Sequence, residues 1–403
     1  MSGPSTSSTP NLLLWKGGRN EVGPSVGYGG HLYKPSKVDP SFYRAMRLPD
    51  RCAAYRSSRS LFDGILDLFT LHLGLPRAQS SLLTYFAIST WLIDRLPVAP
   101  GLIIAGSDEE LGIGVLRLLG CLCRHPLLLA EVTASSLRSL PWHFSLTLLL
   151  NQPSLRAGMQ RLFRASGHHL YLPGSRGSIV DIFGSKAVYS RENSALDKLS
   201  GGWINISVTP QSEPRSALDE QAEEEIAKQF QPRLLMYRLK NLGNISDRGV
   251  DVSNLTFVTR QLARTLAMCF PEDSRLANEA VQVLQPQDEE VREQRYFDVG
   301  CAIVEILLGV IHSGKENEIQ VRELTKKVNA LLWSRGESLE YSPEEVGWKL
   351  RDLDIPRHSN SSGRQVLLGK NIIERVHDLA RTYDLLTGQL VASDCPGCKK
   401  VPS

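Results

Sequence analysis

From residue 58 onward the chain sets out apolar positions in a regular grammar. Ser58 to Leu75 places Leu61, Ile65, Leu68, Phe69 and Leu73 at helical spacing, and Gln79 to Ile93 repeats the pattern. A turn carrying Pro97 and Pro100 follows, then the apolar run Leu102 to Ala105, Gly106, a polar loop, and a helical pattern at Val115, Leu116, Leu118, Leu119 and Leu122. A short apolar run bounded by turn residues predicts a buried strand, so this stretch reads helix, helix, strand, glycine, helix. Phe144 to Leu150 is a second such run, and it ends in Asn151-Gln152. The segment LYLPGSRGSIVDIFGSKAVYS predicts two strands around a Gly-Ser-Arg-Gly hairpin, and Gly202 to Pro210 alternates with the period of a further strand. Beyond an acidic segment, helices are predicted from about Gln221, over Pro232 to Leu242, over Asn254 to Cys269 and over Ser274 to Gln287.

The last third has a pattern of its own. Arg295 to His312 predicts a long apolar helix and Val321 to Trp333 an amphipathic one. A third helix, Pro343 to Leu353, is announced by Ser342 at the N-cap and Pro343 at the first helical position. Ile355 to Ser359, the loop Asn360 to Gly363, the strand Arg364 to Leu368 and a closing helix Asn371 to Leu385 complete it. Helix, turn, helix and two short strands around a loop is winged-helix order. In that arrangement Pro343 to Leu353 is the recognition helix, offering Lys349, Arg351 and Trp348, with Arg357, His358 and Arg364 beside the wing. Lys349, Arg351, Arg357 and Arg364 are the expected DNA contacts.

These patterns predict a flexible arm over 1–57, an α/β core with leading helices over 58–215, a helical lid over 216–290, a winged-helix-like domain over 291–390 and a flexible tail over 391–403. The arm is expected to lack regular structure, because its glycines and prolines break both helix and strand.

Composition refines the picture. With 403 residues, 42% hydrophobic and 22% charged, the chain is globular and long enough for two or three domains. A net charge of +3 excludes a global field for a polyanion, so a nucleic-acid surface has to be local. Between Lys315 and Asp384 there are 12 Lys/Arg and 12 Asp/Glu, and a protein-contact role for that module therefore stays open. The first residues lack the apolar segment of a secretory signal, and apolar runs are too short to span a membrane; a cytoplasmic protein without membrane contact is expected.

Seven cysteines are present, and five of them, at 52, 121, 123, 269 and 301, read as reduced core residues. Cys395-Pro-Gly-Cys398 is different: a C-x-x-C turn aims two thiolates at one metal, as in half of a zinc ribbon. No second pair exists, and His377 or Cys52 would have to complete the site if the fold brings them near. His168-His169 would point to opposite faces of a strand and are expected at the surface rather than on an ion. Arg156, Arg161 and Arg164 lie on one predicted helix, which is either a solvated face or a polyanion contact. No nucleophile motif stands out, and Asp181 has no visible partner acid.

The strand, glycine and helix around Gly106 have the layout of a phosphate-binding loop, whose backbone N–H groups face a nucleotide. Its chemistry is missing. Counting from Gly106, the second-glycine place is Leu111, the Lys place Gly112 and the Ser/Thr place Ile113, while Asp108, Glu109 and Glu110 add repulsive charge. Asn151 and Gln152 stand where an ATPase places the Asp that binds Mg²⁺ and the Glu that activates water. With the phrases WLIDRLPVAP, LLGCLCRHP and TLLLNQP, the region from Trp91 to about Gln211 resembles the core of a helicase-like P-loop ATPase (AAA+ or superfamily 3-like) of bacterial mobile elements. The resemblance implies a P-loop-like parallel α/β core followed by a helical region, with Gly106, Gly112 and Gly114 as the remaining nucleotide-side positions.

Three functions follow. The first is a non-catalytic, helicase-like protein acting as a DNA-binding or assembly factor in replication or mobile-element biology, with a protein partner or a second copy of itself. The second is an active but divergent ATP- and Mg²⁺-dependent ATPase or helicase, in which Lys186 or Lys198 replaces the missing lysine. The third is a winged-helix transcriptional regulator with a dimerising core. The loss of charge from both ATPase motifs favours the first, which is not an enzyme.

Overall fold

The computed structural model describes residues 10–16, 18–152, 159, 163, 167, 171–173, 179–191, 202–209, 218–360, 363–386, 392 and 395–399. Two compact units emerge. The first holds the chain up to Val252 together with Gln261–Leu284, and the second holds Ser253–Arg260 together with residues from Gln285 onward. Among the described residues no single helix is long and apolar enough to cross a membrane.

The first unit opens with two antiparallel hairpins, β1 (Leu12–Lys16) with β2 (Arg19–Gly23) and β3 (Val26–Tyr28) with β4 (His31–Tyr33), and a short helix α1 (Pro40–Ala45). The expectation of an arm without regular structure over 1–57 is corrected here. The same glycines that break long elements supply the turns of short hairpins, Gly18, Gly29 and Gly30 all having positive φ. Helices α2 (Ser58–Leu73) and α3 (Arg77–Leu92) pack on each other as the spacing predicts. Ser57 caps α2, and Gly74 ends it in the left-handed conformation.

The core of this unit is a mixed α/β layer around a five-stranded, wholly parallel sheet. Its strands are β5 (Gly101–Ala105), β6 (Pro126–Leu129), β7 (Thr147–Asn151), β10 (Lys186–Ser190) and β11 (Trp203–Ser207), in the spatial order β11-β5-β10-β7-β6. β5 and β10 are buried along their whole length; β5 accordingly reads as a continuous apolar run instead of an alternation, whereas β10 buries Lys186 and Ser190 among its apolar residues. β8 (Tyr171–Pro173) and β9 (Ile179–Asp181) pair antiparallel as a separate hairpin. The helix α4 (Glu109–Leu122) follows β5, and the short α5 (Ala134–Arg138) follows β6.

Two helices run through internal prolines, and at one of them, Pro232, the sequence pattern predicts the start of a separate helix. α6 (Glu220–Asn241) is continuous across Pro232, and α8 (Ser274–Phe297) across Pro286, with α7 (Phe257–Met268) between them. An internal proline costs about 3 kcal/mol in an isolated helix. In α6 it lies in a buried stretch, flanked by Phe230, Gln231 and Leu234, and the Pro232 carbonyl accepts the Ala53 N–H at 3.0 Å. Tertiary packing outweighs the lost bond.

The second unit is built around helices α9 (Val299–Ser313), α10 (Val321–Ser334), α11 (Pro343–Asp352) and α12 (Lys370–Thr382). Its sheet has three antiparallel strands, β12 (Glu318–Gln320), β13 (His358–Asn360) and β14 (Gly363–Leu367), in the order β12-β14-β13. The predicted helix from Arg295 is interrupted at Asp298, whose carboxylate caps α9 through the Cys301 N–H at 2.8 Å. Ser342 and Glu345 form the capping box that starts α11. One core unites these elements: Ile303, Leu307, Leu324, Val328, Val346, Leu350, Val366 and Val376 are all fully buried. The one-turn α13 (Pro396–Lys399) lies against α12.

Candidate functional site

In a parallel sheet, ligands settle outside the carboxyl ends of the strands where chain connections diverge. Here β5 leads to β6 on one side, whereas β10 leads to β11 on the other. The crevice between β5 and β10 is therefore the place for a ligand, and Gly106 stands at it. Instead of an open loop, this place holds a closed contact. The Tyr189 ring, fully buried, covers Gly112; a Cβ on Gly112 would lie 2.3 Å from it. The Tyr189 hydroxyl donates to the Gly106 carbonyl at 3.1 Å, and burial pushes its pKa up. Gly106, which continues β5, has φ +145° and packs against the residue that continues β11, so that a Cβ would come within 1.9 Å of the Val208 carbonyl oxygen.

The start of α4, where a phosphate loop would hold its anion, is also taken. Of the four residues a phosphate loop needs between its glycines, Glu109 and Glu110 already belong to α4. Asp108 caps that helix through the Leu111 N–H at 2.9 Å, so a carboxylate of the protein occupies the end where an anion would bind. Glu109 pairs with Arg191. Ile113 and Gly114 lie within α4, and a Cβ on Gly114 would meet the Leu73 side chain at 3.0 Å. Gln152 Oε1 accepts the Val132 N–H at 3.1 Å, which fixes the chain beyond β6. Asn151 Oδ1 is buried without a hydrogen-bond partner among the described residues.

Lys186 cannot reach this crevice from where it lies. It begins β10, in register with Gly101, at the end of the strand opposite Gly106. Its ammonium donates to the carbonyls of Gly184 at 2.8 Å and Ile182 at 3.2 Å and sits 5.0 Å from the Trp142 ring centre; burial lowers its pKa to about 7. Asp181 accepts the Phe183 N–H at 2.9 Å in the turn before it. Lys198, Arg156, Arg161, Arg164 and His168-His169 lie outside the described residues.

In the second unit, α11 presents Trp348, Lys349 and Arg351 outward, Trp348 being 53% exposed. Arg364 is exposed on β14, as is His358 on β13. Arg357 lies across α11: its Nη1 stands 2.2 Å from where a Cβ of Gly347 would be, so the glycine makes room for the guanidinium. Arg322, which the sequence reading passed over, lines one groove with Arg364, Pro343, Glu344 and Gly363. Pairing redistributes the unit's neutral balance. Lys327, Arg335, Arg375 and Arg381 are held by Glu323, Glu305, Asp354 and Asp378. Among the described residues, Arg322, Lys349, Arg351, Arg357 and Arg364 have no carboxylate partner.

The C-x-x-C turn is not isolated. Cys395 and Cys398 stand with His377 of α12 and His312 of α9, their ligand atoms all within 4.8 Å of one another. His377 was one of the two expected completers; Cys52, the other, is not in the group. His312 was missed, because 65 residues separate it from His377 and no spacing motif joins them.

No protein-family model matches the sequence. No curated protein matches it either. Among solved structures, the chain is similar to two of the NrS-1 C-terminal region (CTR) in its apo A form. Both are 13% identical, with 86% of this chain and 82% of that chain covered and TM-scores of 0.35 and 0.37. A structure of Drosophila ORC bound to DNA is 12% identical, with coverages of 83% and 95% and a TM-score of 0.21. Scores this low leave the functional reading to rest on the residues themselves.

Proposed function

We propose that the protein is a non-catalytic, helicase-like DNA-binding or assembly factor. Its α/β unit keeps the layout of a nucleotide-binding core without turning over nucleotide, and its second unit is a winged helix that holds DNA. The observation that carries the first half is the Tyr189 ring on Gly112. A lysine there has no path to a phosphate, and Asp108 already satisfies the helix end that would receive one.

The second half is supported by the order α9, β12, α10, α11, β13, β14, with β12 adding a third strand beside the wing. α11 takes the recognition position. Lys349 and Arg351 project from it, Arg357 lies along it, and Arg364 extends from the wing, together offering unpaired positive charge to a phosphate backbone. Arg322 extends the same surface at the groove between α10 and the wing. By resemblance of the core, the setting is replication or mobile-element maintenance.

The test of the core is thermal unfolding with ATP and Mg²⁺ titrated to millimolar levels, with phosphate release followed in parallel. A ligand that binds only the native state raises its stability by mass action. The reading expects no shift and no release; a saturable shift with release would install the divergent ATPase in its place.

A further inference from the structure

We propose that His312, His377, Cys395 and Cys398 form a closed, tetrahedral structural zinc site that ties the end of α9 and the face of α12 to the Cys-Pro-Gly-Cys turn. Zinc bound through two thiolates and two imidazoles, with Zn–S near 2.3 Å and Zn–N near 2.0–2.1 Å, sets its ligand atoms about 3.3 to 3.8 Å apart. Here His312 Nε2 lies 3.3 Å from His377 Nε2, Cys395 Sγ 3.2 Å from His377 Nε2, and Cys398 Sγ 3.3 Å from His312 Nε2. Those three distances match three of the six edges of a coordination tetrahedron, and all four ligand atoms lie within 4.8 Å of one another.

The surroundings prepare each ligand. His377 is 1% exposed, and its Nδ1 is 2.7 Å from the Ile373 carbonyl. That contact requires the proton on Nδ1, which leaves the Nε2 lone pair facing the cluster, the tautomer a metal ligand needs. Two imidazole lone pairs converging at 3.3 Å repel unless a cation or a proton lies between them. Gly397 allows the approach, because a Cβ there would come within 2.6 Å of the His377 ring. Arg381 holds the turn from outside, its Nη2 donating to the Gly397 carbonyl at 2.5 Å. The turn is closed by the Cys398 N–H on the Cys395 carbonyl at 3.2 Å.

The donor set selects the ion. Two sulfurs and two nitrogens without a carboxylate suit Zn²⁺ and are poor ligands for Mg²⁺ or Ca²⁺. Four protein ligands fill a tetrahedron and leave no open position for water, which makes the role structural instead of catalytic. Because the ligands come from α9, α12 and a turn beyond α12, binding energy becomes folding energy of the second unit.

The experiment uses the full chain, purified without chelator and assayed for metal by mass spectrometry, then stripped and titrated with Co²⁺. About one zinc per chain and the intense visible d–d bands of tetrahedral Co²⁺ with thiolate charge transfer are expected. Cys398→Ser should lower Co²⁺ affinity at least tenfold and change the spectrum, whereas Cys52→Ser should leave both unchanged. Should Cys398→Ser fail to fold, the wild-type cobalt spectrum still decides. Absence of stoichiometric zinc together with only octahedral, weakly absorbing Co²⁺ would overturn the site.

Discussion

The phenol ring of Tyr189 packs against Gly112, where a Cβ would lie 2.3 Å from it, leaving no space for a side chain at the position where a P-loop would carry its lysine. Gly112→Lys, the substitution that restores the P-loop residue on paper, should therefore destabilise the protein by about 1 to 3 kcal/mol or more through overpacking and restore no nucleotide binding. Urea unfolding measures the first effect and an ATP titration the second. Stability left intact, with ATP binding gained, would show that the ring moves aside.

The cap on α4 makes a second prediction. Asp108→Ala removes the carboxylate that satisfies the Leu111 N–H, and should cost about 1 kcal/mol in unfolding free energy. A cost near zero would mean that the carboxylate does not cap this helix.

His125 gives the fold an acid limit. Burial holds its pKa down at about 4, and its Nδ1 lies 2.5 Å from the Phe144 carbonyl. The folded pKa lies below the unfolded value of about 6.5, so the unfolded chain takes the proton first as pH falls. Its contribution to stability is fully present above about pH 6.5 and is lost progressively toward pH 4. His125 has φ +45°, which Asn tolerates, so His125→Asn should flatten the urea midpoint between pH 6.5 and 4.5. An unchanged slope would place the acid sensitivity elsewhere.

Gly347 separates stability from binding. A methyl group there meets the far end of Arg357, which is flexible, while Ala is the better helix former by about 1 kcal/mol. Gly347→Ala should leave stability equal or higher and weaken DNA binding by displacing the guanidinium. Undiminished DNA affinity would remove Arg357 from the contact surface.

The elements with strong periodicity were legible in the sequence. α2, α10 and α11 follow the apolar spacing to within a few residues, because each buries one stripe; α3 falls close to its predicted bounds although it is buried on all sides from Ser80 to Leu92, and the capping box at Ser342 marks the start of α11. The sheet was legible in part. β5 and β7 announce themselves as apolar runs, but the central strand β10 contains a lysine and a tyrosine and hides as KAVYS, since Lys186 is stabilised by carbonyls that only the fold supplies. The Tyr189–Gly112 contact, the Arg357–Gly347 contact and the approach of His312 to His377 join residues that no local motif links. Local patterns carry no trace of them.

The most direct measurement is the affinity of the full chain for a labelled duplex across a series of salt concentrations, with and without ATP and Mg²⁺. The wild-type protein is compared with the quadruple variant Lys349→Ala, Arg351→Ala, Arg357→Ala, Arg364→Ala. The account predicts that the wild type binds with steep salt dependence, that nucleotide changes nothing, and that the variant, folded by circular dichroism, binds all sequences more weakly, with a slope reduced by about 3 to 4. A folded variant that binds with unchanged affinity and slope, or wild-type binding that requires ATP, would contradict it.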